Sequence, residues 1–577
     1  MPPTAEGGRP ALFAGMAGYQ RSWLRGDLVA GLTVWAVLVP ESLAYATIAG
    51  VPPVVGLYAA VPSLVLYAAL GSSRHLVVAS MSATAALSAS IVALYAEAGQ
   101  DSYVALTTAL AITTGVVALL AGVLRLGFLA SFISEPVLKG FIVGLALTII
   151  AGQLPKLFGV PKGGEDFFSQ IVHLVESLGD TQWRDLLVGV LSLVVVLGLR
   201  RWLPLVPGSL VAVLLGVAVV SVLGLADEGV AIVGEIDSGL PAVGLPDVGL
   251  HDYLVLVGAS VGVMLIGFAE GLGAAKTYAA RAGYDIDANR ELIGLGAANL
   301  GSGLASGMVV NGSLSKTAVN GGAGARSQVS GLFVAGLTVI TLLFLTGLFE
   351  NLPEATLAAV VIAAVIELVD VPALARLYRV WSGRLGGIYG WAARADFLAA
   401  LAALLGVLVF DTLPGLFIGI GVSVVLLLYR ASVARVSTLV KLTPARDGLP
   451  VVWVDSDRHP DLPTLPGVLV ARVESGLFFA NADHVRDTVR RRLTDDTRLV
   501  VLDAETSPTI DVTATAMLAQ LANDLRRDGI ELRIAHGIGQ TRDVLRRAGK
   551  DSGVLQRIYP SVDDAVADPT DGAPREP

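Results

Sequence analysis

No cysteine occurs at any of the 577 positions, which rules out disulfides, thiolate metal sites and a cysteine nucleophile in one step. The six histidines are scattered without metal-ligand spacing, and the chain has neither an HExxH run nor a G-x-x-x-x-G-K-[ST] phosphate loop. The glycine-rich stretch "GGAGARS" (321–327) lacks the lysine and the strand–helix context of such a loop. Charge is sparse, 15% of residues, with a formal net charge of −9, so no basic surplus argues for nucleic acid. An enzyme and a nucleotide-driven pump are therefore the poorest readings, no cofactor or metal is expected, and any work the chain does should draw on an ion gradient.

What the chain has in abundance is apolar sequence: 54% of residues are hydrophobic and the mean hydropathy is +0.70. Many windows of about 18 to 20 residues carry almost no charge, the length that crosses a bilayer. The expected architecture is an α-helical polytopic membrane protein of fourteen spans, near 28–48, 52–70, 76–95, 104–124, 137–154, 185–200, 205–224, 253–280, 289–305, 313–323, 328–348, 352–369, 396–411 and 413–430. Residues 1–27 read as an uncleaved cytoplasmic segment, 28–441 as the membrane domain, 442–465 as a linker, 466–568 as a soluble α/β domain and 569–577 as a disordered tail. With the N-terminus inside, the even-numbered connections hold the arginines (Arg74, Arg125, Arg200, Arg201, Arg281, Arg290 and Arg326 among them), while the odd-numbered ones hold few bases among acids such as Asp227 and Glu228. This is the positive-inside pattern, and it puts the C-terminal domain in the cytoplasm of a cell whose plasma membrane holds the spans.

Two spans are abnormal. In "HLVVASMSATAALSAS" (75–90) and "SGMVVNGSLSKTAVNGGAGA" (306–325) a short β-branched stretch runs into Ser, Thr and Gly, leaving too little apolar helix for a crossing. Irregular backbone is tolerated at membrane depth only where protein or a cavity encloses it. The two segments also echo each other. "SATA" from Ser82 matches "SKTA" from Ser315 at an offset of 233 residues, and "ESLAYA" from Glu41 aligns with "EGLGAA" from Glu270 at an offset of 229. Such an internal echo is a pointer to a transporter repeat. Seven spans per half would invert the second copy, so the N-termini of two half-helices would meet near the midplane, where free N–H groups and helix dipoles favour an anion. Ser82 and Thr84 from one half, and Ser313, Ser315 and Thr317 from the other, would be available there, with Leu314 and Lys316 beside them.

Glu41 is the odd letter in "VPESLAYATIAG" (39–50). A carboxylate at a helix centre costs about 2.5 kcal/mol or more to insert, so it needs either a basic partner or a protonation role. Glu270 poses the same choice. Lys316 sits in the first turn of its half-helix, where the dipole disfavours a cation, so the position needs an anion. Tyr45 lies on the face of Glu41, either as packing or as part of the site.

The stretches "PESLAYATIAGVPPVVGLYAA", "SLSKTAVNGGAGARSQVSG" and "LVVLDAETSPTIDVTATAMLAQLANDLRRDGIELRI" together resemble the sulfate permease (SulP) family of anion transporters, which end in a STAS domain. The resemblance implies a seven-plus-seven inverted repeat with core and gate subdomains, elevator-type alternating access and a homodimer. It places Ser315-Lys316 at the anion site, with Lys where Arg is common, which keeps the charge and gives up bidentate geometry. It also places Glu41 where many members have Gln, and Glu270 at a position implicated in cation or proton coupling. The expected substrate is a small inorganic oxyanion, sulfate first, entering with a proton. Bicarbonate with sodium, a dicarboxylate, or a membrane anion sensor signalling through the STAS domain are the rival readings. In the soluble part, "RLVVLDAE", "DVTATAMLAQLANDLRRDGI" and "ELRIA" form a strand–helix–strand pattern. A phosphorylatable serine following the aspartate at the helix start, known in STAS relatives, is replaced by Val512 after Asp511, leaving Thr513 as the only substitute.

Overall fold

A computed structural model describes residues 12–567 apart from isolated residues and short stretches, the longest at 380–387, 443–450 and 549–557. The expected tail, and residues 1–11 of the expected N-terminal segment, lie outside the described residues. The chain divides into two compact units, Met1–Val424 and Val425–Pro577.

The first unit runs α1 (Leu24–Ile48), α2 (Pro53–Leu70), β1 (Val77–Ala79), α3 (Ser82–Val92), α4 (Asp101–Val123), α5 (Glu135–Phe158), α6 (Phe167–Glu176), α7 (Trp183–Trp202), α8 (Gly208–Leu223), α9 (Leu250–Ala282), α10 (Ala288–Leu304), β2 (Asn311–Ser313), α11 (Leu314–Gly322), α12 (Val329–Ile340), α13 (Glu354–Val365), α14 (Ile388–Phe410) and the start of α15 (Thr412–Ser432). Seven of the described helices are long and apolar enough to cross a membrane: α1, α2, α4, α5, α9, α12 with its continuation to Phe349, and α15. Of the other seven expected spans, those at 76–95, 205–224, 352–369 and 396–411 hold the shorter apolar helices Ser82–Val92, Gly208–Leu223, Glu354–Val365 and Asp396–Phe410, and those at 185–200, 289–305 and 313–323 correspond to α7, α10 and α11, which are in neither set. The reasons are local: α7 carries Arg184, Asp185, Arg200 and Arg201 at its ends, α10 is rich in Gly, Asn and Ser, and α11 has nine residues. The amphipathic helix α6 was not foreseen. It starts at a capping box in which Asp166 accepts from the amides of Phe168 and Ser169.

Packing within this unit falls into two groups. Helices α1–α4 pack with α9–α12, and α5, α7 and α8 pack with α13 and α14. The first group shows the repeat directly, because α4 packs on α9 and α10 as α12 packs on α1 and α2. Close approach is bought with small residues: a methyl on Gly56 of α2 would overlap the Ser42 carbonyl of α1. Pro40 inside α1 has no N–H to give the carbonyl one turn earlier, which loosens the helix immediately before Glu41.

The second unit is built on a six-stranded sheet of order β4-β3-β5-β6-β7-β8: β3 (Val436–Leu442), β4 (Val452–Asp455), β5 (Val468–Val473), β6 (Leu499–Asp503), β7 (Glu531–Ala535) and β8 (Ile558–Tyr559). Strands β5 to β8 are parallel, and β3 and β4 are added antiparallel. Helices α16 (Ala482–Arg491), α17 (Val512–Arg527), α18 (Gly539–Ala548) and α19 (Val562–Ala567) complete it. Leu469, Val500, Leu518, Leu521, Leu525 and Leu532 form the centre of the core that α17 covers. The strand–helix–strand pattern read from the sequence is β6–α17–β7. Residues 452–455, expected in the linker, instead form the edge strand β4, since "VWVD" pairs with β3 and buries Trp453.

Candidate functional site

The two broken segments are each a three-residue strand running into a short helix, and the strands pair antiparallel, Val77 with Ser313, Val78 with Gly312 and Ala79 with Asn311. Because the pair is antiparallel, α3 and α11 leave its opposite ends in opposite directions, and both helices begin beside it. A two-stranded ribbon leaves backbone groups unpaired on its outer edges, and buried groups of that kind need partners. Side chains supply them. Ser63 of α2 donates to the Val78 carbonyl at 3.1 Å, Thr317 Oγ1 accepts from the Val77 amide at 3.1 Å, and Asn299 of α10 both donates to and accepts from Val310 at 2.9 Å. Ser63 and Asn299 sit on corresponding helices of the two halves.

Lys316 is 1% exposed. Its Nζ lies 2.7 Å from Glu41 Oε2, 3.2 Å from the Ser80 carbonyl to which it donates, and 4.8 Å from the centre of the Tyr45 ring. Glu41, Tyr45 and Lys316 are thus brought together, and the lysine reaches across to the residue two before Ser82. Ser82 is buried at the first position of α3, whose N-cap, Met81, supplies no side-chain cap. Thr84 is buried but its hydroxyl donates to the Met81 carbonyl at 3.3 Å. Ser313 caps α11, its Oγ accepting from the Lys316 amide at 3.3 Å, and stands 3.1 Å from Ser315 Oγ. Leu314 and Ser315 are exposed on the surface of the chain.

Glu270 is placed differently. It lies on α9, which packs against β2, and its Oε2 is buried without a hydrogen-bond partner. Lys316 pairs with Glu41 and not with Glu270; among the described residues Glu270 makes no ion pair. Two other buried acids show what a structural carboxylate looks like in this fold. Asp27 accepts from the amides of Arg326 and Ser327 and from the Ser327 hydroxyl, and Glu291 accepts from Ser72, Ser73 and the Tyr67 hydroxyl. Their oxygens are saturated by neutral donors. Glu41 Oε2 faces the lysine ammonium without an aligned hydrogen bond, and Glu270 Oε2 has no hydrogen-bond partner.

Residues 24–384 match the sulfate permease family, and residues 459–565 match the STAS domain. The chain belongs to the sulfate permease family. A probable sulfate transporter of Mycobacterium tuberculosis is 37% identical over 536 residues, covering 92% of each chain. Sulfate transporter 1.3 of Arabidopsis thaliana is 30% identical, covering 90% of this chain and 80% of its own. In fold, the chain is similar to the murine anion transporter Slc26a9 in its inward-facing state, with a TM-score of 0.83 at 22% identity over 95% of this chain and 91% of the other. The transmembrane domain of the cyanobacterial bicarbonate transporter BicA gives a TM-score of 0.58 at 22% identity, over 68% of this chain and 98% of that one.

In this family member the sequence reading missed two groups that lie near the candidate site. The Ser80 carbonyl could not be foreseen, since a backbone group carries no sequence signal. Arg200 of α7, read as an orientation signal, donates to the Ala363 carbonyl at 3.2 Å and interacts electrostatically with both Glu41 and Tyr45. In the STAS unit, Asp503, Glu505 and His536 bring ligand atoms within 4.8 Å of one another, and Arg472 donates to both carboxylates.

Proposed function

We propose that the chain is a secondary active transporter of a small oxyanion, sulfate first, that couples entry of the anion to entry of a proton by elevator-type movement of the α1–α4 and α9–α12 group. The observation that carries this reading is the buried Glu41–Lys316 pair at 2.7 Å between two half-helix N-termini. Lys316 cannot serve a substrate anion at full charge while Glu41 neutralises it. Protonating Glu41 removes its charge and releases the lysine, so proton and anion occupy the site together. One unit-charge contact at 4 Å is worth roughly 4 kcal/mol at an effective dielectric near 20, enough for the exchange of partners to decide occupancy. The first-turn amides of α3 and the hydroxyls of Ser82 and Ser315 would complete the cradle, and Glu270 would be a second proton acceptor. Sulfate is preferred because the relatives above are named for it. The positive-inside pattern supports a cytoplasmic N-terminus and STAS domain in the plasma membrane.

Uptake of labelled sulfate into proteoliposomes tests this. An inward proton gradient should accelerate uptake several-fold, and Glu41→Gln should abolish the gradient dependence. Uptake that ignores the gradient removes the coupling; uptake of labelled bicarbonate or fumarate without uptake of labelled sulfate reassigns the cargo; and binding without uptake favours the sensor reading.

A further inference from the structure

Beyond the anion site, the first unit holds a cavity of about 670 Å³ whose walls come only from α1–α4 and α9–α12 elements and the turns joining them. Arg74, Arg281 and Arg326 line it together with Trp23, Tyr278 and Tyr284. None of the three guanidinium groups pairs with a carboxylate among the described residues. Arg74 lies 5.2 Å over the Tyr284 ring and Arg281 5.2 Å over the Tyr278 ring, so stacking, not an ion pair, holds them in place. His75, also on the wall, is held on both sides of its ring: one nitrogen meets the Ala325 carbonyl at 3.1 Å and the other the Tyr284 hydroxyl at 3.0 Å.

The cavity is not the transport site. Ala318, Gly321 and Gly322 of α11 line it, at spacings that share one helical face. Lys316 points about 200° away from Ala318, two residues on at 100° each, toward α1. The cavity therefore lies behind the half-helix whose front carries the ion pair, at the end that the positive-inside pattern assigns to the cytoplasm.

We propose that this cavity binds an organic phosphate carrying more than one negative charge. Three unpaired guanidinium groups offer planar, bidentate donors suited to phosphate oxygens. The volume falls in the range of pockets for small organic ligands, roughly 300–1,000 Å³, and exceeds what an inorganic oxyanion fills. The aromatic walls give the organic body a surface to pack on. Occupied, the site holds the back of α11 while its front exchanges partners. The same phosphate chemistry is offered by a free nucleotide and by an anionic lipid headgroup at the membrane surface.

The full-length protein, purified in neutral detergent, is titrated calorimetrically with ATP and with inorganic phosphate. In a second arm, nanodiscs of phosphatidylcholine with or without phosphatidylglycerol are compared by native mass spectrometry for retained lipid. Saturable ATP binding, weakened at least tenfold in the Arg74→Gln/Arg326→Gln variant, supports a soluble ligand. Retention of phosphatidylglycerol by the wild type and its loss in the variant supports a headgroup. The Arg74→Lys/Arg326→Lys variant keeps charge and orientation, guards against misfolding, and should bind at an intermediate level. The proposal is overturned if neither ATP nor phosphatidylglycerol binds the wild type, if both arginine variants bind like the wild type, or if inorganic phosphate binds as tightly as ATP.

Discussion

At the scale of single residues, the question is what a buried carboxylate does when it is paired with a buried ammonium. Breaking a buried pair by removing one member is costly, about 3–5 kcal/mol, because it strands the other charge, whereas removing both can be nearly neutral. Lys316→Met should therefore lower the thermal unfolding temperature of the purified protein. The Glu41→Gln/Lys316→Met double variant should recover most of that loss. Sulfate is expected to raise the unfolding temperature of the wild type and of neither variant. A sulfate response that survives in the double variant would show that the anion does not use this lysine. Glu41, Tyr45 and Lys316 could all be picked out as letters, since each departs from its surroundings. Their mutual contact could not, because Glu41 and Lys316 stand far apart in the chain.

At the scale of elements, the half-helices depend on borrowed hydrogen bonds. Thr317→Val keeps the shape of the side chain and removes the acceptor for the Val77 amide, and an unsatisfied buried donor costs about 1–3 kcal/mol. The expected outcome is a matching loss of stability in chemical or thermal unfolding, with faster amide exchange at Val77. Outside the membrane, α6 rests on Asp166. The Ser169 backbone amide first, then the Ser169 hydroxyl, with the Phe168 amide adding to them, hold its carboxyl below the usual carboxylate range. A pKa lowered in the folded state supplies stability above the unfolded value and loses it as pH falls through the folded one. Amide protection in α6, corrected for intrinsic rates, should accordingly fall in acid, and the Asp166→Asn variant should lack this dependence. The sequence marked both broken segments through their β-branched runs and small polar residues. It did not show that they pair as strands, because register between segments so distant in the chain is decided by what encloses them. The α6 helix escaped notice because it lies between two spans whose hydropathy dominates the region.

At the scale of the whole molecule, exposure raises the question of partners. The most apolar window of α15 is only 22% buried within the chain, and Phe417, Val425, Leu427 and Leu428 are exposed on it. Such a surface must face lipid or a second copy. The family resemblance favours a homodimer, and light scattering of the detergent-solubilised protein should give a protein mass of twice 59.6 kDa; a mass of one chain would remove the expectation. Composition and periodicity alone determined that the chain is a polytopic membrane protein with a C-terminal α/β domain, because bilayer length and strand alternation are written locally, in consecutive residues. Internal echo and family motifs reached further, to two repeats and to the residues proposed to hold an anion. Only the tertiary structure decided that Lys316 is held by Glu41, that Asp27 and Glu291 are saturated while Glu270 is not, and that three arginines share a cavity. Those outcomes depend on which groups meet across the fold, and a charge has no fixed role until its neighbours are known.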